Sequence, residues 1–508
     1  MGRMTARMSF AGLLESAGIA VPANLPSVEV TGLQTDSRRV NPGEAFIALR
    51  GSKLDGTAFA AEAAKRGAAA LLVEASGEEG LEQGETPVPT VFVPNLRAFT
   101  GPLFDAWHGR PSKALKFYGI TGTNGKSTTT LLMSAVLRAA GRKVISLGTI
   151  RYEIGDEVLG SDLTTPSTDA FFAMLARGVE KGCDSVTMEV SSHALSQDRV
   201  GGIRFDRTLF TNLTQDHLDF HKDFEDYFAA KKKLFTEYLA EDGVGIVNAD
   251  SPYGLRLLKE WNGKRVTFSR GETAEGAKAD LVVREQALAL DGTRLVLSWK
   301  GGTFALRSRL IGAINVENLL AAAAFGLSLG LTPETVAEGI AEVTVPGRNE
   351  MFALPGGGVA VVDYAHTPDA LERVLQSLRA LTPGTLNVVF GCGGDRDRGK
   401  RPLMGAIAER LADRAILTSD NPRSEDPDGI LAEIRAGMKN PESATVIADR
   451  REAIREGLRG LRTGDCLLVA GKGHESYQIV GAERLHFSDQ EEIAAGASPA
   501  ARGGDAWS

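Results

Sequence analysis

The sequence predicts an α/β protein of three domains: an N-terminal mixed α/β domain, a central doubly wound α/β domain around a phosphate loop, and a C-terminal Rossmann-like α/β domain. Three observations carry that expectation. At 508 residues the chain holds about three domains of roughly 150 residues each. Apolar runs of strand length alternate with helical stretches through most of it, and the alternation stops and restarts around Val345, Pro346 and Gly347. A glycine-rich turn carrying Gly125, Lys126 and Ser127 follows one of those runs directly.

Residues 1–112 mix β-rich runs at 27–33, 45–49, 69–73 and 90–93 with an alanine-rich helical stretch at 58–66, and close on a linker at His108, Gly109, Arg110 and Pro111. Residues 113–344 form the central block. Its expected strands are 117–121, 144–150, 186–190, 208–213 and 244–248, with a helix after the first that carries Leu131, Leu132, Val136 and Leu137 on one face. Residues 345–496 restart the pattern with strands at 359–364, 386–390, 415–418, 445–448 and 466–470 and helices at 368–381, 403–412 and 451–461. The tail 497–508 is small, polar and glycine-rich, the composition of a disordered end.

Composition narrows the function. With 57 Lys+Arg against 65 Asp+Glu the formal charge is −8, so the chain lacks the basic excess of a general nucleic-acid binder. Anionic ligands must therefore meet a local positive site. The three cysteines, Cys183, Cys392 and Cys466, are far apart and form no CxxC pair, which argues for a reducing compartment and against a zinc site. Glu15 interrupts the N-terminal apolar stretch before a secretory core develops, and the longest apolar run, 319–331, carries Gly and Ser as a buried helix does. The expectation is a cytoplasmic protein without membrane insertion.

The turn GITGTNGKSTT, 119–129, lies between an apolar strand and an amphipathic helix. Gly122, Thr123, Asn124 and Gly125 let backbone N–H groups converge on phosphate oxygens, and the helix beginning at Lys126, Ser127 and Thr128 adds its positive end. Lys126 reaches toward the terminal phosphates and Ser127 offers a hydroxyl to Mg²⁺. Ile120 stands where the strict GxxxxGK[ST] pattern has glycine, so this is a variant loop. Glu189 ends a hydrophobic strand, where it reads as a Mg²⁺ ligand or a solvated residue. Asp216, His217, Asp219 and His221 crowd the segment 210–223, either as a polar loop with a helix cap at Asp216 or Asp219 or as a place for His217 to bind metal. Lys231, Lys232 and Lys233 read by themselves as a solvated helix face.

GTNGKS, EVSSH, TNLTQDHLD and YFAAKKKLF, followed by VPGR, DYAHTPDAL and GKGHE, together resemble the Mur ligase family over nearly the whole chain. That resemblance implies ATP-dependent amide ligation in peptidoglycan precursor synthesis, with a UDP-sugar-binding domain at 1–112, an ATP-binding domain at 113–344 and an amino-acid-binding domain at 345–496. The similarity is greatest to the member that adds meso-diaminopimelate to UDP-N-acetylmuramoyl-L-alanyl-D-glutamate. Its cofactors would be ATP, two Mg²⁺ ions and a CO₂-derived carbamate on Lys231, and its partners small molecules bound by a monomer.

The resemblance also assigns roles. Lys126, Glu189, His217 and Lys231 are the catalytic set, with Ser127, Glu189, His217 and carbamylated Lys231 (N6-carboxylysine) around the metal. Asn315, Arg348, Asp363 and His366 join the loop residues at the nucleotide, although Asn315 by itself reads equally as a helix cap and Arg348 as a surface ion-pair partner. Ser37 belongs to the uridine end, with Thr57 where relatives usually carry His; Thr164, Thr165, Ser191, Gln197 and Arg199 grip the sugar-peptide. Arg396, Asp420, Asn421, Pro422, Arg423, Gly471 and Glu475 take the diaminopimelate. The chemistry agrees, because paired arginines suit the distal carboxylate that lysine lacks and Glu475 suits the ammonium. The loop 391–401 is glycine-rich but does not space as GxGxxG, which excludes a dehydrogenase. A lysine-adding ligase and a phosphate-loop switch protein are the competing readings; Asp420-Asn421-Pro422-Arg423 weighs against the first and the lack of a DxxG switch element against the second.

Overall fold

The computed structural model describes residues 7–50, 55–75, 87–214, 216–217, 220–271 and 279–497. Asp219 and the tail from 498 onward lie outside the described residues. By compactness the chain divides into two units, Met1–Asp280 with Ala321–Val336 and Leu281–Leu320 with Ala337–Ser508.

The first unit contains a small parallel sheet and a larger, mostly parallel one. Near the N-terminus, Leu33–Gln34, Ala45–Ala48, Ala70–Ala75 and Thr90–Pro94 pair in that order, and the buried run of Ala45–Ala48 is the continuous apolar stretch of a strand covered on both faces. The larger sheet runs Glu157–Leu159, Tyr152–Ile154, Val144–Leu147, Ser185–Glu189, Lys116–Thr121, Phe205–Phe210, Leu239–Asn248, Arg265–Ser269. Its strands from Val144–Leu147 to Arg265–Ser269 are parallel, as the alternation predicts. The helix Lys126–Ala139 buries Leu132, Met133, Val136 and Leu137. That spacing is the apolar stripe expected of an amphipathic helix.

The second unit holds an antiparallel meander, Leu281–Ala289, Gly292–Trp299 and Gly302–Ser308, and a mostly parallel sheet ordered Glu350–Ala353, Val359–Asp363, Cys466–Ala470, Leu386–Phe390, Arg414–Leu417, Thr445–Val446. Only Glu350–Ala353 runs antiparallel within that sheet. Thr367 caps the helix Pro368–Arg379 by accepting from the Ala370 N–H, with proline at the first helical position where its missing donor costs nothing.

Several expected boundaries move for identifiable reasons. The strands expected at 144–150 and 208–213 stop at Leu147 and Phe210, because the residues that follow leave the sheet to build the site. The run 27–33 breaks into Glu29–Val30 and Leu33–Gln34, and the helix of 451–461 ends at Leu458 before the left-handed Gly460. The hairpin Tyr152–Ile154/Glu157–Leu159 and the meander are antiparallel insertions that a reading of uniform parallel alternation does not contain. The run 319–331 is largely the buried part of the helix Ala313–Ser328, and no helix among the described residues is long and apolar enough to cross a membrane.

Candidate active site

Both candidate site regions sit at the C-terminal ends of parallel strands, where an open α/β sheet leaves a crevice for ligands. In the first unit, strand Lys116–Thr121 delivers the phosphate loop. Gly122 and Gly125 have φ of 150° and 85°, and a Cβ on Gly122 would stand 1.9 Å from the Thr211 hydroxyl, so the turn closes only with glycine there. The neighbouring loop laces it in place. Thr123 N–H donates to the Asn212 carbonyl (2.9 Å), Asn124 N–H to Asn212 Oδ1 (2.9 Å), and Thr211 Oγ1 to the Asn124 carbonyl (2.7 Å). Lys126 Nζ donates to the Gly122 and Thr123 carbonyls at 3.0 and 2.8 Å, and Ser127 and Thr128 occupy the first turn of the helix.

Lys231 comes from a different element and reaches the same loop. It projects from helix Phe224–Thr236, is 1% exposed, and donates to the Gly122 carbonyl at 2.8 Å. Its ammonium lies 4.6 Å from the centre of the Tyr227 ring. Burial first, and then the charge of Lys126, push the Lys231 amine well below the ordinary lysine range, while Asp216 pulls the other way. The lysine is therefore buried, whereas its isolated sequence reads as a solvated face; only Lys232 and Lys233 pair outward, with Glu260 and Glu237.

Tyr227 is the hub that the sequence did not mark. Its hydroxyl is 3.2 Å from Thr123 Oγ1, burial pushes it up to about 12, and its ring lies 6.1 Å from that of His217 and 5.0 Å from that of His221. His217 itself is left-handed at φ 54°, with Nε2 3.3 Å from Asp216. The cap of the following helix is Asp223, which accepts from the Asp226 N–H at 2.8 Å; Asp216 does not fill that role.

Glu189 ends strand Ser185–Glu189 in register with Ile120, so it stands beside the start of the phosphate loop. It is 1% exposed and accepts from the Thr149 N–H (2.7 Å) and hydroxyl (3.1 Å). A buried carboxylate held, among the described residues, by a neutral amide and a hydroxyl, next to a phosphate loop, fits a Mg²⁺ that takes a few hard oxygens and completes its shell with phosphate and water. Among the described residues no three His, Cys, Asp or Glu side chains form a closed metal cage.

The sugar-peptide candidates form one hydrogen-bonded chain. Thr164 Oγ1 donates to Thr149 Oγ1, Thr165 Oγ1 donates to the Glu189 carbonyl, and the Ser191 N–H donates to Thr165 Oγ1. Arg199 donates to Gln197 Oε1 (2.7 Å) and the Thr165 carbonyl (3.1 Å). Gln197 and Arg199 line a cavity of about 150 Å³, and Gln197 also lines a neighbouring one of about 870 Å³ that contains Ser37. Arg97, which sequence reasoning missed, borders both. Thr57 is turned toward Asp55, to which its hydroxyl donates at 2.7 Å.

In the second unit the nucleotide candidates divide. The guanidinium of Arg348 lies 4.7 Å from the Tyr364 ring centre, and Asp363 accepts from the N–H groups of Asn349 and Ala365. Desolvation pushes the Asp363 carboxyl up, with Arg348 opposing. His366 is exposed, its Nδ1 2.9 Å from the Tyr364 carbonyl. Asn315 is buried and donates to the Ile311 carbonyl while accepting from Asn318, the local role its position at a helix start allows.

The amino-acid candidates converge from three loops. Asp420 and Asn421 follow strand Arg414–Leu417, Arg396 follows Leu386–Phe390, and Gly471 and Glu475 follow Cys466–Ala470. Asn421 donates to Glu475 Oε2 at 3.1 Å. Arg423, left-handed at φ 52°, donates to the Gly394 carbonyl at 2.7 Å, and Gly393 separates it from Arg396 closely enough that a Cβ there would meet both side chains. The Pro422 carbonyl packs on Gly394, and Gly471, at φ 117°, leaves room for Asp420, whose carboxylate a Cβ would approach to 2.6 Å. Burial pushes Asp420 up, and Arg450 and Lys472 oppose it.

Comparison with known proteins gives this geometry its family. Family models match in three consecutive segments: the Mur ligase family catalytic domain at 29–108, the Mur ligase middle domain at 120–326, and the Mur ligase glutamate ligase domain at 347–473. The chain is 43% identical over 493 residues to the UDP-N-acetylmuramoyl-L-alanyl-D-glutamate–2,6-diaminopimelate ligase of Geobacter metallireducens, covering 92% of this chain and 94% of that one. The chain belongs to the Mur ligase family. The protein of that same designation from Synechococcus elongatus is 45% identical over 470 residues, covering 91% and 93% of the two chains. A solved structure of a UDP-N-acetylmuramoyl-L-alanyl-D-glutamate–2,6-diaminopimelate ligase superposes with a TM-score of 0.73 at 31% identity, over 97% of this chain and 99% of that one. The Mur ligase thus has its three family segments in the order that the sequence motifs follow.

Proposed function

We propose that this Mur ligase is the ATP-dependent enzyme that joins meso-diaminopimelate to the D-glutamate carboxylate of UDP-N-acetylmuramoyl-L-alanyl-D-glutamate, releasing ADP and orthophosphate. The observation that carries the reading is the convergence of Arg396, Asp420, Asn421, Arg423 and Glu475, from three separate loops, into one cluster with both signs of charge. The partition 1–112, 113–344 and 345–496 is supported by one family segment falling within each block.

A carboxylate does not condense with an amine at neutral pH because its oxygen is a poor leaving group. Transfer of the γ-phosphoryl group from ATP makes an acyl phosphate; the neutral amine then attacks the acyl carbon, and phosphate leaves as the amide forms. In this reading the loop N–H groups and Lys126 cradle the triphosphate and stabilise charge as the phosphoryl group moves. Arg199 and Gln197 orient the peptide end of the UDP substrate, with Thr164, Thr165 and Ser191 beside them, and Ser37 lies toward uridine. Asn315, Arg348, Asp363 and His366 serve the nucleotide. Ser127, Glu189, His217 and a carbamate on Lys231 would hold Mg²⁺, which would supply screening between the two anions that must meet. Burial of Lys231 between a carbonyl and an aromatic ring supports that carbamate: a neutral amine adds to CO₂, and the product replaces a repelling cation by an anionic oxygen ligand.

The test is orthophosphate release with mass analysis of the product. Release should require ATP, the UDP-sugar dipeptide and meso-diaminopimelate together and yield the UDP-sugar tripeptide. Equal use of lysine would overturn the specificity, and hydrolysis independent of the amino acid would overturn the ligase reading in favour of a nucleotide switch.

A further inference from the structure

Lys472 lies inside the segment that supplies Gly471 and Glu475, yet its own function follows from the tertiary structure. It is 0% exposed, with Nζ 3.5 Å from Glu475 Oε2, 3.3 Å from Asn421 Oδ1 and 4.0 Å from Asp420 Oδ1. The Tyr477 ring centre is 5.5 Å away. Beyond it, the fully buried Arg450 pairs with Asp489 at 2.7 Å and donates to the Ala470 carbonyl at 3.0 Å, which ties the pair to the strand end from which this loop departs. The connected cluster contains the cations Lys472 and Arg450 and the carboxylates Asp420, Glu475 and Asp489, so it carries one negative charge in excess. A buried cluster with that balance is completed by one ligand cation.

We propose that Lys472 is a positioning residue for amino-acid selection: its fixed positive charge holds the Asp420 and Glu475 carboxylates in the arrangement that reads the second ammonium group of a diamino diacid. The inference rests on the ligase reading and deepens it. It divides the recognition in two, with Arg423 and Arg396 on the distal carboxylate and the Lys472-supported pair on the distal ammonium. Without Lys472 the two carboxylates repel each other in a buried place, and one must take a proton or turn away. Lys472 acts through those carboxylates, because its own charge would repel the ammonium.

The experiment compares meso-diaminopimelate with 2-aminopimelate, which keeps the distal carboxylate and lacks the distal ammonium. In Lys472→Gln the preference for meso-diaminopimelate in kcat/KM should fall at least about tenfold, with kcat and the KM for the UDP-sugar dipeptide within about threefold of the unsubstituted enzyme, and Lys472→Arg should recover part of the preference. An unchanged preference, or an equal rise in KM for every substrate, overturns the proposal. If Lys472→Gln does not fold, the pair Lys472→Gln/Glu475→Gln is measured against Glu475→Gln alone. A smaller loss of preference on removing Lys472 in the Glu475→Gln background than in the unsubstituted enzyme supports action through the carboxylates, and an undiminished loss overturns it. Failure of the unsubstituted protein to release phosphate with either amino acid counts against the ligase reading itself.

Discussion

Two buried lysines, one in each unit, show opposite ways of placing the same side chain out of water. Lys231 is set against the Gly122 carbonyl and the Tyr227 ring, with the like charge of Lys126 nearby, so burial and repulsion both favour the neutral amine. Lys472 is equally inaccessible and burial lowers it too, but Asp420 and Glu475 stand beside its Nζ and oppose that shift. A buried lysine is thus a reactive amine or a fixed charge according to its partners. On the proposed function, the first kind of site would serve chemistry and the second recognition.

The largest expected effect breaks the comparison at the reactive lysine. Lys231→Met should reduce phosphate release by about a thousandfold or more, the scale on which a group stabilising a phosphoryl-transfer transition state counts. The same variant should unfold at a higher temperature than the unsubstituted protein kept free of CO₂ at neutral pH. The sign follows from linkage: the folded amine titrates below its unfolded counterpart, so the unfolded chain binds the extra proton and stability is lost below the ordinary lysine pKa of 10.5. The gap between the two melting curves should close as pH rises toward that value. A gap that widens with pH would mean that Lys231 is held as a cation.

At the recognition site, Arg423→Ala should raise the KM for meso-diaminopimelate by about ten- to hundredfold, the range of a charge-assisted hydrogen bond, while the KM for ATP stays near its starting value. Amino-acid panels would show the preference over lysine shrinking in step. Should the variant keep that preference, the distal carboxylate is read elsewhere. Smallest of the three, Tyr227→Phe should lower kcat by about two- to fivefold, since it removes the contact with Thr123 but leaves the ring under Lys231. Steady-state kinetics alone decides that one, and a loss as large as that of Lys231→Met would make the hydroxyl part of the chemistry.

Much of this was legible beforehand. Strands 386–390 and 466–470 fall where the pattern places them, because central parallel strands are continuous apolar runs. The phosphate loop is legible because its glycines, lysine and serine are consecutive. Thr149, which fixes Glu189 by two hydrogen bonds, and Tyr227, which gathers Thr123, His217 and Lys231, carry no such signal; each is an ordinary residue type whose partners come from distant segments. The burial of Lys231 is likewise invisible in a run of three lysines, since which face a helix turns inward depends on what packs against it.

By itself the sequence determined the alternation of strands and helices, the phosphate loop and the family motifs, all of which depend on residue type and short-range spacing. Tertiary structure decided which lysines are buried and whether carboxylates or another cation stand near them, and which arginine stands beside which carboxylate. The reason is physical: hydrophobic periodicity and backbone propensity act along the chain, whereas desolvation and Coulomb interaction depend on distances in space that only the folded arrangement sets.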